Sequence, residues 1–388
     1  MRVLVTACGI GIIVLVLVDA FESILQPRRV THRFRYSRAY YRNTWAVWRA
    51  LARLFKSPKR RESFLGIFGP LSMLGLFVGW VLGLILGFAL IHWSLGLMLT
   101  AAGKPAGFWT CLELSGSTFF TMGYGDARPV PAGRATVVIE VGLGFAFLAI
   151  IISYLPVLYQ AFSRREVTIS LMDARAGSPP TAGELLVRLA RARNLAGVEL
   201  FLQQWEQWAA ELLESHLSFP VLSYYRSQHD NQSWLAALTK ILDTCAILLV
   251  TGEREESYQA QLTFAMARHA AVDLAQVVNA KYDSGSADRL PDTELEQMRD
   301  ALGRAGLRLR SDEYGREKLR KLRSMYEPYV HATGGNLLLK LPAWWHAEKA
   351  RDNWQAGPWD RVIQARGLAG LSAGGQASAQ GLVGEDHF

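Results

Sequence analysis

The chain has 388 residues, half of them hydrophobic, and a formal charge of +8. Its three cysteines, Cys8, Cys111 and Cys245, are too few and too scattered for a disulfide framework or a zinc site, and they read as small apolar residues. A basic balance can signal nucleic acid, but here twelve Arg and Lys against one acid sit in residues 27–62, between two apolar runs. That distribution belongs to membrane topology and leaves nucleic acid out of the expected partners.

The first apolar run, residues 3–18, extends to Leu25 past Asp19 and Glu22. As a cleaved leader it would start at Arg2, but Asp19 spoils the small-residue pattern around Ala20. A leader would also put the basic 27–62 segment outside the cell, against the positive-inside rule. Residues 1–26 are therefore expected to form an N-terminal transmembrane helix. Residues 38–56 read as an amphipathic helix. Tyr41, Trp45, Trp48, Leu51, Ala52 and Phe55 lie on one side, and Arg38, Arg42, Arg49, Arg53 and Lys56 on another. Its expected place is the inner membrane face, aromatic side in lipid and arginines at anionic headgroups. It is not a voltage sensor, because its arginines lie outside any apolar span.

Residues 64–90 and 135–162 are each long enough to span, the second interrupted by Glu140 alone. With the basic loop inside, alternation puts the N-terminus and residues 92–133 outside and everything after 162 in the cytoplasm. The Arg164-Arg165 pair agrees. A multi-pass protein of the cell membrane is the expectation. Between the two spans, residues 108–120 are apolar enough to enter the membrane. At about 1.5 Å per residue, however, a helix of that length reaches only about 20 Å. It must re-enter and return on the same side. Non-helical backbone at that depth has to be enclosed by protein or line a water-filled cavity.

That backbone is Thr121-Met122-Gly123-Tyr124-Gly125-Asp126. Together with Ser115-Gly116, Pro129-Val130, Gly133-Arg134 and Gly144, it resembles the prokaryotic potassium channel family, in its form with two helices flanking one pore loop. The resemblance covers roughly residues 64–162. It implies an outer helix over 64–92, a pore helix over 108–120, a selectivity filter over 121–126 and an inner helix over 134–162. Carbonyls of Thr121, Met122, Gly123 and Tyr124, with the Thr121 hydroxyl, would replace the water shell of potassium. Gly123 and Gly125 are expected to supply the positive φ that this requires. Asp126, Glu113 and Ser117 are the expected filter supports. One filter per chain cannot encircle an ion, and the family implies a homotetramer. No cofactor is implied beyond the permeant potassium ion.

The chain departs from the family pattern at Met122, where Val or Ile is commonest, and at Glu113-Leu114, where paired aromatics are usual. Glu140 is a candidate either for lining the pore or for bracing groups behind the filter. Gly142 and Gly144 suit either a gate hinge or close helix packing, and Pro156 suits a kink near the cytoplasmic end.

From 163 to 366 the pattern is helical, with apolar periodicity over 185–217, 234–250, 258–278 and 295–307. Gly177-Ser178-Pro179-Pro180 and residues 283–291 read as linkers. No βαβ alternation or Gly-x-Gly-x-x-Gly motif occurs, so no nucleotide-sensing domain is expected. His269 and Asp273, four apart, fit a solvated helix face better than a metal site. Residues 367–388 are expected to be disordered. The fold expectation is an all-α membrane protein: one extra N-terminal span, a basic amphipathic segment over 27–62, a pore domain over 63–162 and a helical cytoplasmic domain. Its expected function is passive potassium conduction, with no catalytic residues. A non-selective cation channel, allowed by Met122, and a membrane-tethered adaptor with a vestigial pore stay open as other readings. The gating stimulus is not legible.

Overall fold

The structure is a computed structural model, and it describes residues 1–25, 35–191, 195–227, 232–251, 258–282 and 287–346. The expected disordered tail at 367–388 lies outside these, as do residues 26–34 of the basic segment and 283–286 of the second linker. Two compact units emerge, one of Met1–Arg164 with Glu214–Arg226 and one of Arg165–Leu213 with the chain from Ser227 onward.

In the first unit, α1 (Arg2–Ala20) ends in one π-helical turn, Phe21–Leu25, and α2 (Tyr36–Ala52) follows. The long helix α3 (Pro58–Ser94) leads through β1 (Met98–Leu99) to the short helix α4 (Phe108–Phe119). The strand β2 (Arg128–Pro129) pairs antiparallel with β1 and precedes α5 (Arg134–Ala176). Three helices, α1, α3 and α5, are long and apolar enough to cross a membrane. Pro58 opens α3 at its first turn, where a missing N–H costs nothing. The expected end of the inner helix at 162 is overrun by fourteen residues. Nothing from Ser163 to Arg175 breaks a helix, and Gly177, at φ 76°, terminates it instead.

Packing in this unit is organised by Gly75, Gly79, Gly83 and Gly87, a stripe repeating every four residues along α3. The tyrosines of α2 use one half: Tyr40 lies on Gly75, and the Tyr36 hydroxyl is 2.8 Å from where a Gly79 Cβ would stand. The other half takes α1, with Val16 2.8 Å from a Cβ at Gly83 and Ile13 2.6 Å from one at Gly87. Where lipid is as apolar as the side chains, such close backbone approach drives association. Asp19 locks the three helices together. Buried, it accepts from Ser37 N at 3.1 Å, Ser37 Oγ at 3.0 Å and Trp80 Nε1 at 2.9 Å. A carboxylate at the first turn of α2 also complements that helix's dipole.

The aromatic side of α2 was expected in lipid, and the structure corrects this. Trp48 stacks on Phe64 with ring centroids 4.4 Å apart, and Trp45 meets Phe68 at 4.9 Å. Tyr41 stacks on Tyr224 at 6.0 Å. Tyr224 belongs to a 3-10 turn, Pro220–Tyr224, that returns from far along the chain. Beside it, Tyr225 packs on Phe162 at 5.6 Å and Phe219 on Tyr154 at 5.3 Å, and Arg226 pairs with Glu62 at 3.3 Å. The aromatics that looked lipid-facing therefore have protein partners brought by a segment with no sequence signal for this role.

The second unit contains α6 (Ala182–Arg191), α7 (Leu195–Ser218, to Leu213), α8 (Trp234–Leu248) and α9 (Tyr258–Val277). The helices α10 (Asp292–Arg304), α11 (Glu313–Ser324) and α12 (Glu327–Leu337) complete it. The expected run 185–217 is two helices, and α11 and α12 carry no leucine period that would announce them. Residues from Trp234 to Ile247 are all buried, which makes α8 the centre of the unit. Within it Asp243 accepts from Arg289 at 2.6 and 3.0 Å and from the Tyr326 hydroxyl. Lys240 is buried nearby, and burial pulls its ammonium down to about 8 against the opposing pull of Asp173 and Asp243. His269 and Asp273 pair with each other at 3.5 Å, and no group of three metal-ligating side chains occurs among the described residues.

Two outcomes follow for stability. Gly87→Leu should push α1 off α3 and cost on the order of 2 kcal/mol, read as a lowered melting temperature in detergent. Arg289→Ala should cost about 3–5 kcal/mol in the second unit, because it strands the buried Asp243 carboxylate, whereas Arg316→Ala on an exposed pair should be close to neutral.

Candidate functional site

The site begins with α4, whose short length leaves the chain to turn back between α3 and α5. Its buried face carries Cys111, Ser115, Ser117, Thr118 and Phe119. Two contacts hold it. On α5, Gly144 lets the Phe119 carbonyl come within 2.5 Å of where a Cβ would stand, so this glycine is a close-packing position against the end of α4. On α3, Ser115 Oγ bonds the Ile85 carbonyl at 2.8 Å and also meets Glu140. Glu140 is fully buried, as is His92, whose Nε2 lies 3.8 Å from its carboxylate. Glu140 therefore faces into the helix packing of its own chain. Gly142 has open space around it, and α5 runs on through Pro156.

Beyond α4 the segment Thr121–Asp126 is tied back to Ser117. The Ser117 carbonyl accepts from Met122 N at 2.8 Å and Gly123 N at 3.4 Å, and Ser117 Oγ donates to the Tyr124 carbonyl at 2.9 Å. Thr121, Gly123 and Gly125 have φ of 58°, 67° and 140°. The glycines take these values freely, whereas Thr121 at positive φ is strained by about 1–3 kcal/mol and is held there by the anchor. Among the described residues, the carbonyls of Thr121, Met122 and Gly123 accept no hydrogen bond. These oxygens, like those of Gly125 and Asp126, lie in an exposed part of the chain and are open to a polar partner.

Of the expected supports, the structure brings Ser117 to the segment. The Asp126 and Glu113 side chains are exposed and form no hydrogen bond among the described residues. Trp109 is 77% exposed and the Tyr124 side chain 58%, and with Glu113 and Phe120 they leave one side of α4 open. Only 17% of the apolar stretch of α5 is buried within the chain, against 56% for α3.

Residues 76–160 match the family model described as ion channel. This segment is an ion-channel domain. It accounts for under a quarter of the chain, contains α4 and the 121–126 segment, and marks a membrane transport protein rather than an enzyme. No curated protein and no solved structure matches the chain.

Sequence reading missed the meeting of Ser115 with Glu140 and His92. Each is a lone polar residue in an apolar run, and only the packing of α3, α4 and α5 brings them together. In the channel domain, Ser117→Ala removes the donor to the Tyr124 carbonyl and should weaken the anchor by about 1 kcal/mol, lowering ion flux without unfolding the protein. Gly144→Ala should be more severe, since its methyl meets backbone, and should reduce the yield of folded protein on size-exclusion chromatography.

Proposed function

We propose that the chain is one subunit of a homotetrameric, potassium-selective channel, with Thr121–Asp126 of four copies forming the selectivity filter. The observation that carries this reading is the row of carbonyls at Thr121, Met122 and Gly123 that accept no hydrogen bond. Around a four-fold axis such oxygens stack into rings that replace the hydration shell of a potassium ion. The Thr121 hydroxyl would extend the row, the Tyr124 carbonyl would join it on release from Ser117 Oγ, and the positive φ of Gly123 and Gly125 is what inward-pointing carbonyls require.

The tetramer draws support from the surface left open in one chain. The exposed side of α4, with Trp109, Phe120 and Tyr124, is continuous in character with exposed Val138, Ile139 and Phe145 on α5. Neighbouring copies would cover these faces, and Asp126 and Glu113 would find their partners there. The positive-inside rule supports residues 27–62 lying on the cytoplasmic side of the cell membrane, with the second unit as a cytoplasmic domain. Arg38, Arg42 and Arg53 of the basic segment are exposed and available to anionic headgroups, whereas Trp45 beside them is buried.

Purified protein in liposomes tests the reading, with potassium and then sodium as the sole permeant cation. Potassium flux with little sodium flux, abolished by Gly123→Ala, is the expected result. Equal flux of both ions would replace selectivity with general cation conduction, the outcome that Met122 in place of a β-branched residue leaves room for.

A further inference from the structure

Ser115 has one hydroxyl proton and two acceptors in reach, the Ile85 carbonyl at 2.8 Å and Glu140 Oε1. It can donate to one of them. If Glu140 is ionised it takes that proton, and its other oxygen, Oε2, has no hydrogen-bond partner. Among the described residues the sole cationic candidate beside it is His92, 3.8 Å away and beyond hydrogen-bond reach, with both ring nitrogens unpartnered. An unpaired carboxylate in such a place is prohibitively costly. If Glu140 instead carries a proton, it donates to Ser115 Oγ and Ser115 donates to Ile85. Both bonds are then made and no charge is buried.

We infer that Glu140 is a proton-bearing positioning residue, which as the neutral acid donates to Ser115 and fixes α4, and with it the 121–126 segment, against α3 and α5. The inference rests on the channel reading, and it adds to it a residue through which the proton acts on conduction. The connection is short: Ser115 lies two positions before Ser117, and Ser117 holds Met122, Gly123 and Tyr124. The groups facing Glu140 are His92 from α3 and Ser115 from α4. The thiol of Cys111 is also buried on α4, and Glu113 is on that helix's exposed side. Among the described residues no other charged side chain lies within ion-pair distance of Glu140. Ionising Glu140 reverses its bond to Ser115, so that Ser115 gives up the Ile85 carbonyl of α3 and a charge is left buried, and the filter should lose its support as pH rises.

Two readouts on the full-length protein in lipid nanodiscs and liposomes test this. Infrared difference spectra between wild type and Glu140→Gln should contain the C=O band of a protonated carboxylic acid at neutral pH, shifted in Ser115→Ala. In flux, wild type should decline toward alkaline pH. Glu140→Gln, whose amide still donates to Ser115, should keep neutral-pH flux within about twofold and lose the decline, while Glu140→Ala should fall about tenfold, the effect of one lost buried hydrogen bond. No acid band in the difference spectrum would overturn the proton assignment. A wild type without alkaline decline, or Glu140→Gln with the wild-type decline, would overturn the link to conduction. The infrared band is read whether or not ions pass, so a protein with the band and no flux supports the proton assignment and fails the channel reading.

Discussion

A peptide carbonyl that leaves water must find a donor or a cation, and the membrane unit presents an exposed run, Thr121–Asp126, in which Tyr124 is the one residue whose carbonyl has a donor among the described residues. Thr121, Met122 and Gly123 present their oxygens with no protein partner, while the polar groups that hold the segment are bonded among themselves. Ser117 ties Met122 and Tyr124 to the end of α4, and Ser115 ties α4 to α3. The unsatisfied oxygens are thus isolated on a firm support. That combination suits a transient ligand such as a dehydrated ion, because the protein neither closes over the oxygens nor lets them collapse.

The support in turn depends on how closely helices approach. Gly83 and Gly87 seat α1 on α3, Gly75 and Gly79 seat the tyrosines of α2, and Gly144 admits the end of α4 to α5. Each is a place where a methyl group would meet a neighbour, so the order of layers is set by missing side chains as much as by present ones. Asp19 adds the polar counterpart, one carboxylate satisfied by a backbone N–H, a hydroxyl and an indole from two other helices.

Much of this was legible in the sequence because its signals are local. Apolar length marks α1, α3 and α5, the shortness of 108–120 marks a helix that cannot cross, and Gly-Tyr-Gly marks backbone with positive φ. What was not legible depends on distant partners. The aromatic stripe of Tyr41, Trp45 and Trp48 has the pattern of a lipid-facing surface, and nothing in that stripe announces that Tyr224 and Tyr225 return to cover it. Glu140 offered two roles with the same local pattern, and its burial against Ser115 and His92 is visible only once three helices are packed. The helix α11 was hidden for a different reason: it is so rich in charge that no apolar period stands out.

The central claim is that the unbonded carbonyls ligate a monovalent cation. A crystal of the assembled protein grown with rubidium or thallium tests it through anomalous scattering. The account expects a row of peaks on a four-fold axis, each enclosed by carbonyls of Thr121, Met122, Gly123 or Tyr124 from four copies. An assembly in which these carbonyls turn away from any shared axis, with no anomalous peak among them, would contradict it.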